Sequence, residues 1–184
     1  IPVPGRDIMV QSWYQGGISI FDFTDASNPT EIAFHDYGPV ATNGSGFGGS
    51  WSVYWYNGVI VNSEIARGLI VFALEPSPFL TQNEIDAAKT VKWDYLNAQG
   101  QPKTVWPKTH VLAKAYVDQL ERERSLTTAE ITSIRQGIAN AEANPKNSKL
   151  LKALAEKVQG YATGSGNADK VQKLAETLSG LASK

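Results

Sequence analysis

The 184-residue chain has no cysteine, one methionine and two histidines. The missing cysteines exclude disulfides, thiolate nucleophiles and Cys-ligated metals. Two isolated histidines, His35 and His110, make a poor metal site, so neither a metal nor another cofactor is expected. No apolar run approaches the ~18–20 residues that a membrane-spanning helix requires, and no basic and apolar leader is present. The first residue is Ile1 instead of Met, so a processed chain or the closing part of a longer polypeptide is expected. Basic residues are scarce at the front. Residues 1–80 carry two (Arg6, Arg67) against seven acidic ones, a net of −5, whereas the remainder carries 15 against 11, a net of +4. A nucleic-acid surface interleaves dense basic charge with aromatic residues. Here the aromatics crowd into the acidic half, so no nucleic-acid partner is expected.

What the chain does have is an internal repeat. Ile8-Met9-Val10-Gln11-Ser12 and Gly17-Ile18-Ser19-Ile20-Phe21-Asp22-Phe23 lie, without a gap and 51 positions on, over Val59-Ile60-Val61-Asn62-Ser63 and Gly68-Leu69-Ile70-Val71-Phe72-Ala73-Leu74. Self-similarity of this kind with strand-like halves points to a propeller blade or a related β unit, a binding scaffold before a catalyst.

The local pattern agrees. Ile8–Ser12 and Ile18–Phe23 are β-branched and aromatic runs around Gln15-Gly16-Gly17, the form of a hairpin. Asp25-Ala26-Ser27-Asn28-Pro29 is a turn cluster, followed by a strand over Thr30–Asp36. After a Gly-rich loop at 43–49, Ser50–Tyr56 alternates, with Trp51, Val53 and Trp55 expected on one face and Ser52, Tyr54 and Tyr56 on the other. Asn57-Gly58 is a strong hairpin signal leading into Val59–Asn62, and residues 68–74 give the last strand.

Gly17-Ile18-Ser19-Ile20-Phe21-Asp22-Phe23-Thr24-Asp25 with Asn28-Pro29-Thr30-Glu31-Ile32, and Gly49-Ser50-Trp51-Ser52-Val53-Tyr54-Trp55 with Ser63-Glu64-Ile65-Ala66-Arg67-Gly68-Leu69, resemble the LVIVD repeat family of bacterial β-propellers over about residues 7–80. The resemblance implies a propeller-type fold and an exported protein, periplasmic or otherwise extracytoplasmic, with no general catalytic set. The chain holds sequence for about two blades, whereas closed propellers have about four to eight. Open blade edges invite pairing with another chain, which predicts a partner.

The back half reads as helices. Thr81-Gln82-Asn83-Glu84 is a capping box before a short helix over 82–90, and residues 97–102 form a loop. Pro107 is expected in the first turn of a helix carrying Val111, Leu112, Ala115, Tyr116 and Leu120. Thr127-Thr128-Ala129-Glu130 opens a helix with Ile131, Ile134, Ile138 and Ala141 on one face, ended by Asn144-Pro145. Leu150, Leu151, Leu154, Val158 and Tyr161 mark the next helix. After Gly164-Ser165-Gly166, Asn167 caps a last one with Val171, Leu174, Leu178 and Leu181. Four such helices with short connections form an antiparallel bundle, and their alanine-rich faces predict a thin core.

The fold class expected is therefore α+β, two antiparallel propeller-blade-like β units followed by an antiparallel helical bundle. The divisions are 1–80 for the β domain, 81–106 for a short helix and linker, and 107–184 for a four-helix bundle. Glu64 and Arg67 read as an ion pair at a turn, or as groups that orient a ligand. His35-Asp36 has the form of a base and its orienting acid, but no nucleophile motif accompanies it. Asp22, Asp25 and Asn28 lack the full ligand set of a calcium loop and read as turn caps. Residues 43–49 lack the Lys-Ser/Thr ending of a phosphate loop. Trp13, Tyr14, Tyr54 and Tyr56 are the candidate partner-binding residues, because Tyr and Trp supply large contact area with a polar handle.

The function these features imply is a non-catalytic interaction protein of the bacterial cell envelope that docks on and stabilises a larger protein assembly, such as a membrane complex. It would be membrane-associated only through a partner. The alternative is the C-terminal segment of an exported propeller enzyme or of a carbohydrate-binding or adhesion protein.

Overall fold

In a computed structural model, residues 1–41, 46–100 and 103–183 are described. Part of the loops expected at 43–49 and 97–102 lies outside those residues. The fold is α+β, with seven strands and five α-helices among the described residues. The chain divides into two compact units, residues 1–80 with 88–105, and residues 81–87 with 106–184. The segment 81–106 is thus shared between them.

The first unit holds two antiparallel sheets. Strands β1 (Pro2–Val3), β2 (Arg6–Ser12), β3 (Ile18–Asp22) and β4 (Thr30–His35) form one in the order β1-β2-β3-β4. Strands β5 (Ser50–Tyr56), β6 (Val59–Glu64) and β7 (Gly68–Phe72) form the other in the order β5-β6-β7. The repeat is visible in the pairing. Met9 faces Phe21, Val10 faces Ile20, Gln11 faces Ser19 and Ser12 faces Ile18. Fifty-one residues on, Ile60 faces Phe72, Val61 faces Val71, Asn62 faces Ile70 and Ser63 faces Leu69. A one-residue slip would turn every side chain to the other face, so this coincidence of register makes the two hairpins structural copies. Two of the hairpin turns are set by local chemistry. Trp13 N–H donates to the Gly17 carbonyl across the first turn (2.9 Å). In the β5–β6 turn Asn57 and Gly58 both hold positive φ (49° and 109°), the backbone that an Asn-Gly hairpin supplies without steric cost.

Two strand-level expectations change. Trp51 is 68% exposed while Trp55 is 5% exposed, although alternation puts both on one face. The β5–β6 register shifts between Ser50 and Ser52, so Trp51 is the extra residue of a bulge and leaves the alternation. The copies also differ at their outer edge. β3 carries β4 on its far side, whereas no strand among the described residues lies on the far side of β7.

The helical unit is built by α1 (Gln82–Lys89) through Ala87, with α2 (His110–Arg122), α3 (Thr128–Ala143), α4 (Ser148–Gly160) and α5 (Ala168–Ala182). Helices α2 to α5 pack on one another in succession, and α5 returns to α2. The starts are capped as the sequence dictates. Thr127 and Glu130 form a reciprocal capping box on α3, and the Asn167 side chain accepts from Lys170 N–H on α5. Pro107 lies ahead of α2 and not in its first turn, because Thr109 is the N-cap and accepts from Leu112 N–H. Leu150, expected on the buried stripe of α4, is exposed. Seven of the twenty residues of the helical core are alanine, so the helices approach closely. At Gly137 of α3 an added Cβ would stand 2.7 Å from Leu154 Cδ1 of α4.

Candidate functional site

Glu64 ends β6 and is buried. Its Oε1 accepts from Gly49 N–H (2.7 Å) and from Arg67 Nη1 (3.0 Å), and its Oε2 accepts from Ala66 N–H (2.8 Å) and Arg67 N–H. One carboxylate therefore ties the β6–β7 turn to the start of β5. Burial alone would raise its pKa, but the amides of Arg67, Gly49 and Ala66 and the Arg67 guanidinium outweigh it and hold the carboxyl below its ordinary range. With both oxygens occupied, Glu64 is a structural anion and not an available base.

The structure brings together two pairs that the sequence keeps apart. His35 and Asp36, at the end of β4, and Glu64 with Arg67 line one cavity of about 190 Å³. Tyr37 and Phe72 line it as well. The His35 imidazole is held between them, 4.3 Å from the Tyr37 ring centroid and 4.8 Å from that of Phe72. Arg67 lies over the Tyr37 ring at 5.0 Å, within cation–π range. Asp36 does not orient the histidine. Its Oδ1 accepts from Gly38 N–H (2.8 Å), and among the described residues no hydrogen bond joins it to His35.

Sequence reasoning missed Asn62. It lies in β6 between Val53 and Ile70, is 1% exposed, and lines the same cavity. Its Oδ1 and His35 Nε2 are both buried without a hydrogen-bond partner among the described residues. An amide side chain in a predicted strand, directly after the apolar run Val59-Ile60-Val61, was the available signal, since Asn is depleted in strands.

The remaining candidates are placed as follows. Asp22 accepts from Thr24 N–H and Oγ1 and from Arg6 Nη2 (2.6 Å), while Asp25 Oδ1 accepts from Ser27 N–H. These are turn and strand-end caps. His110 is the first residue of α2. Residues 43–45 of the Gly-rich loop lie outside the described residues. Trp13, Tyr14 and Tyr54 are exposed. Trp13 Nε1 donates to Ser19 Oγ (2.9 Å) and Tyr14 meets Trp51 edge-on at 5.8 Å. Tyr56 is half-buried, and its hydroxyl donates to the Trp93 carbonyl (3.1 Å). Tyr54 and Tyr56 also line an open depression of about 630 Å³ with Tyr95.

The two units differ in how they treat apolar surface. Among the described residues, nine of the thirty buried apolar ones belong to the β unit, yet it carries fifteen of the sixteen exposed large hydrophobic ones. Scattered exposed hydrophobics need no explanation; here they are concentrated on one unit. Comparison with known proteins gives no match to a family model, a curated protein or a solved structure.

Proposed function

We propose that this chain is a non-catalytic interaction protein that docks on a larger protein assembly by accepting an extended segment of its partner along the outer edge of β7. The observation that carries the reading is the unequal completion of two copies of one hairpin. In the first copy β4 pairs antiparallel with β3, from Ile18 opposite His35 to Asp22 opposite Thr30. In the second copy the corresponding edge carries no strand among the described residues, and Leu69 and Val71 on it are 73% and 56% exposed. Natural proteins blunt free edges with charge, proline or cover; Gly68-Leu69-Ile70-Val71-Phe72 carries neither charge nor proline. Strand addition uses the backbone for affinity and alternate side chains for specificity, and the exposed Trp13, Tyr14 and Tyr54 are further candidates for partner contact away from that edge. The cell envelope as location, and a membrane complex as the assembly, rest on the resemblance to the LVIVD repeat family.

The test is native mass spectrometry of material isolated from its source, followed by amide exchange of the assembly. The expected result is a heavier complex that releases this subunit, in which the amides of residues 69–72 exchange more slowly than in the isolated chain. A complex that leaves those amides unprotected, or material that is monomeric throughout, overturns the reading.

A further inference from the structure

The register that makes the two hairpins copies also fixes which faces of the two sheets correspond. Residues opposite one another in an antiparallel ladder project to the same face. In the first sheet Ile18 and Ile20 share one face with His35 and Ala33, while Met9, Phe21 and Phe34 lie on the other. In the second sheet Ile60 and Phe72 share one face, while Tyr54, Val61, Leu69 and Val71 lie on the other. The Ile18–Ile20 face of the first sheet packs against the Ile60–Phe72 face of the second. All four residues line one space, and the His35 ring lies 4.8 Å from that of Phe72. Ile18 and Ile20 are each 4% exposed there, and Ile60 is 1% exposed.

Each half of that contact occurs a second time, 51 positions away, uncovered. Leu69 and Val71 stand where Ile18 and Ile20 stand in the first copy, and both are exposed; Met9 stands where Ile60 stands in the second copy, and is 39% exposed. Phe34, on the same face as Met9, is 74% exposed. Arrays of repeats end in caps with a polar outer face, whereas both outer faces here present large apolar side chains. Residues 94–97 border one of them at Tyr54 and Tyr56 and leave Leu69 and Val71 open.

We propose that a second copy of this chain covers these faces, the Met9–Phe34 face of one copy packing on the Leu69–Val71 face of the next and so continuing the sheet-on-sheet contact present within each chain. A repeat that cannot bury its apolar face alone buries it on a neighbour, and this chain carries both halves of the contact. Because the halves differ, the association is head-to-tail and extends until a ring closes. With two sheets per chain and about four to eight blades in a closed propeller, about two to four chains complete it. The inference goes beyond edge docking. A strand added to β7 bonds to the backbone of its outer edge, whereas Leu69 and Val71 project from the face of the sheet, so both contacts form together.

The experiment uses the full 184-residue chain. Sedimentation measures association, and the isotope-labelled methyl group of Met9, the single methionine, reports on its face by nuclear magnetic resonance. The expected result is a mass that is a small multiple of the chain, with a Met9 signal that moves as concentration rises. Leu69→Lys with Val71→Lys, and separately Met9→Lys with Phe34→Lys, should each weaken association about tenfold or more, because they place charge in an apolar contact. All four side chains are exposed, so both variants are expected to fold. Mixed together, the two variants should form a one-to-one complex, since each keeps the face that the other lacks, and the Met9 signal of the first should move when the second is added. The proposal is overturned if the parent is monomeric at every concentration, if it associates with the Met9 signal unmoved, or if the mixed variants stay apart. Should a variant fail to fold, the mass and the Met9 signal of the parent decide alone. The chain with Met9→Lys and Phe34→Lys keeps its β7 edge intact, so partner docking measured on it stands or falls separately from self-association.

Discussion

Removing the Glu64 carboxylate is the most informative single perturbation of the β unit. In Glu64→Ala the amides of Gly49, Ala66 and Arg67 lose their acceptor, and Arg67 loses the anion on Nη1. A hydrogen bond to a charged group contributes about 1.5–3 kcal/mol, and an orphaned buried donor costs about 1–3 kcal/mol. The contributions overlap, and the better guide is the loss of one partner from a buried ion pair, about 3–5 kcal/mol. That is a large fraction of the ~5–15 kcal/mol by which domains are stable. For a unit of this size each kcal/mol moves the melting temperature by about 4–8 °C, so a fall of at least about 12 °C is expected. The two units can be read separately. Trp13, Trp51, Trp55 and Trp93 lie in the β unit and only Trp106 in the helical one, so tryptophan emission follows the former and ellipticity at 222 nm the latter. Emission should shift to lower temperature while ellipticity holds. A fall of less than about 2 °C in the emission transition would refute the reasoning.

The same site fixes a pH dependence. The folded carboxyl titrates below its ordinary value of 4.5, so the unfolded chain takes up the proton first as pH falls. Stability from Glu64 is therefore fully present above about pH 4.5 and is lost as pH drops through the lower folded value. Asp22 is also depressed, since its bonds to Thr24 and Arg6 outweigh the opposing effect of burial, and it adds to the same loss. Glu64→Gln, with nothing to protonate, should show a shallower fall in the emission transition as pH drops below about 4.5, the window in which the parent loses its Glu64 contribution.

Three further outcomes are expected. Arg122→Met removes the guanidinium from the buried Glu84 carboxylate, which accepts from Arg122 Nη1 (2.9 Å) and Nη2 (2.8 Å); it should cost the helical unit about 3–5 kcal/mol, seen as a lower urea midpoint in ellipticity with the emission transition unmoved. In Gly17→Ala the new Cβ would stand 1.7 Å from the His35 carbonyl oxygen, so β3 and β4 must part at that point; a loss of about 1–3 kcal/mol is expected in tryptophan-monitored unfolding, and an unchanged midpoint would contradict the close approach. Leu69→Lys with Val71→Lys should leave stability within about 0.5 kcal/mol, since both side chains are exposed, yet abolish the heavier complex in native mass spectrometry.

Much of the fold was legible because it is local. Thr81 with Glu84 and Thr127 with Glu130 announce helix starts by a hydrogen-bond exchange confined to four residues, and Asn57-Gly58 announces its hairpin by backbone preference alone. What escaped was tertiary. The bulge that expels Trp51 depends on how Ser50 and Ser52 meet Glu64 and Ser63 across the ladder, and no period within β5 encodes it. The cavity escaped for the same reason. His35 and Glu64 are each visible as candidates, but only the meeting of the two sheets puts them on one space, and Asn62 acquires meaning only when its buried oxygen is found without a partner.

The open edge of β7 has its cause in six residues. Thr81-Gln82-Asn83-Glu84-Ile85-Asp86 stands 51 positions after Thr30-Glu31-Ile32-Ala33-Phe34-His35, where a second copy of β4 would belong. It has become the capping residue and first turns of α1. Thr81 N–H donates to Glu84 Oε2 (2.8 Å), and Thr81 Oγ1 donates to Asp118 Oδ2 of α2 (2.7 Å). Glu84 binds Gln119 and Arg122 of the same helix, and Ile85 is fully buried. To close the β7 edge from within the chain, this segment would have to leave those partners. That would leave Arg122 without its buried anion at a cost of about 3–5 kcal/mol and expose Ile85 at about 1.5–3 kcal/mol more. One short strand pairing at an edge does not offset both. The segment that might have completed the second hairpin is thus committed to the helical unit, and a strand on β7 has to come from elsewhere, which is why the edge is where a partner should be sought.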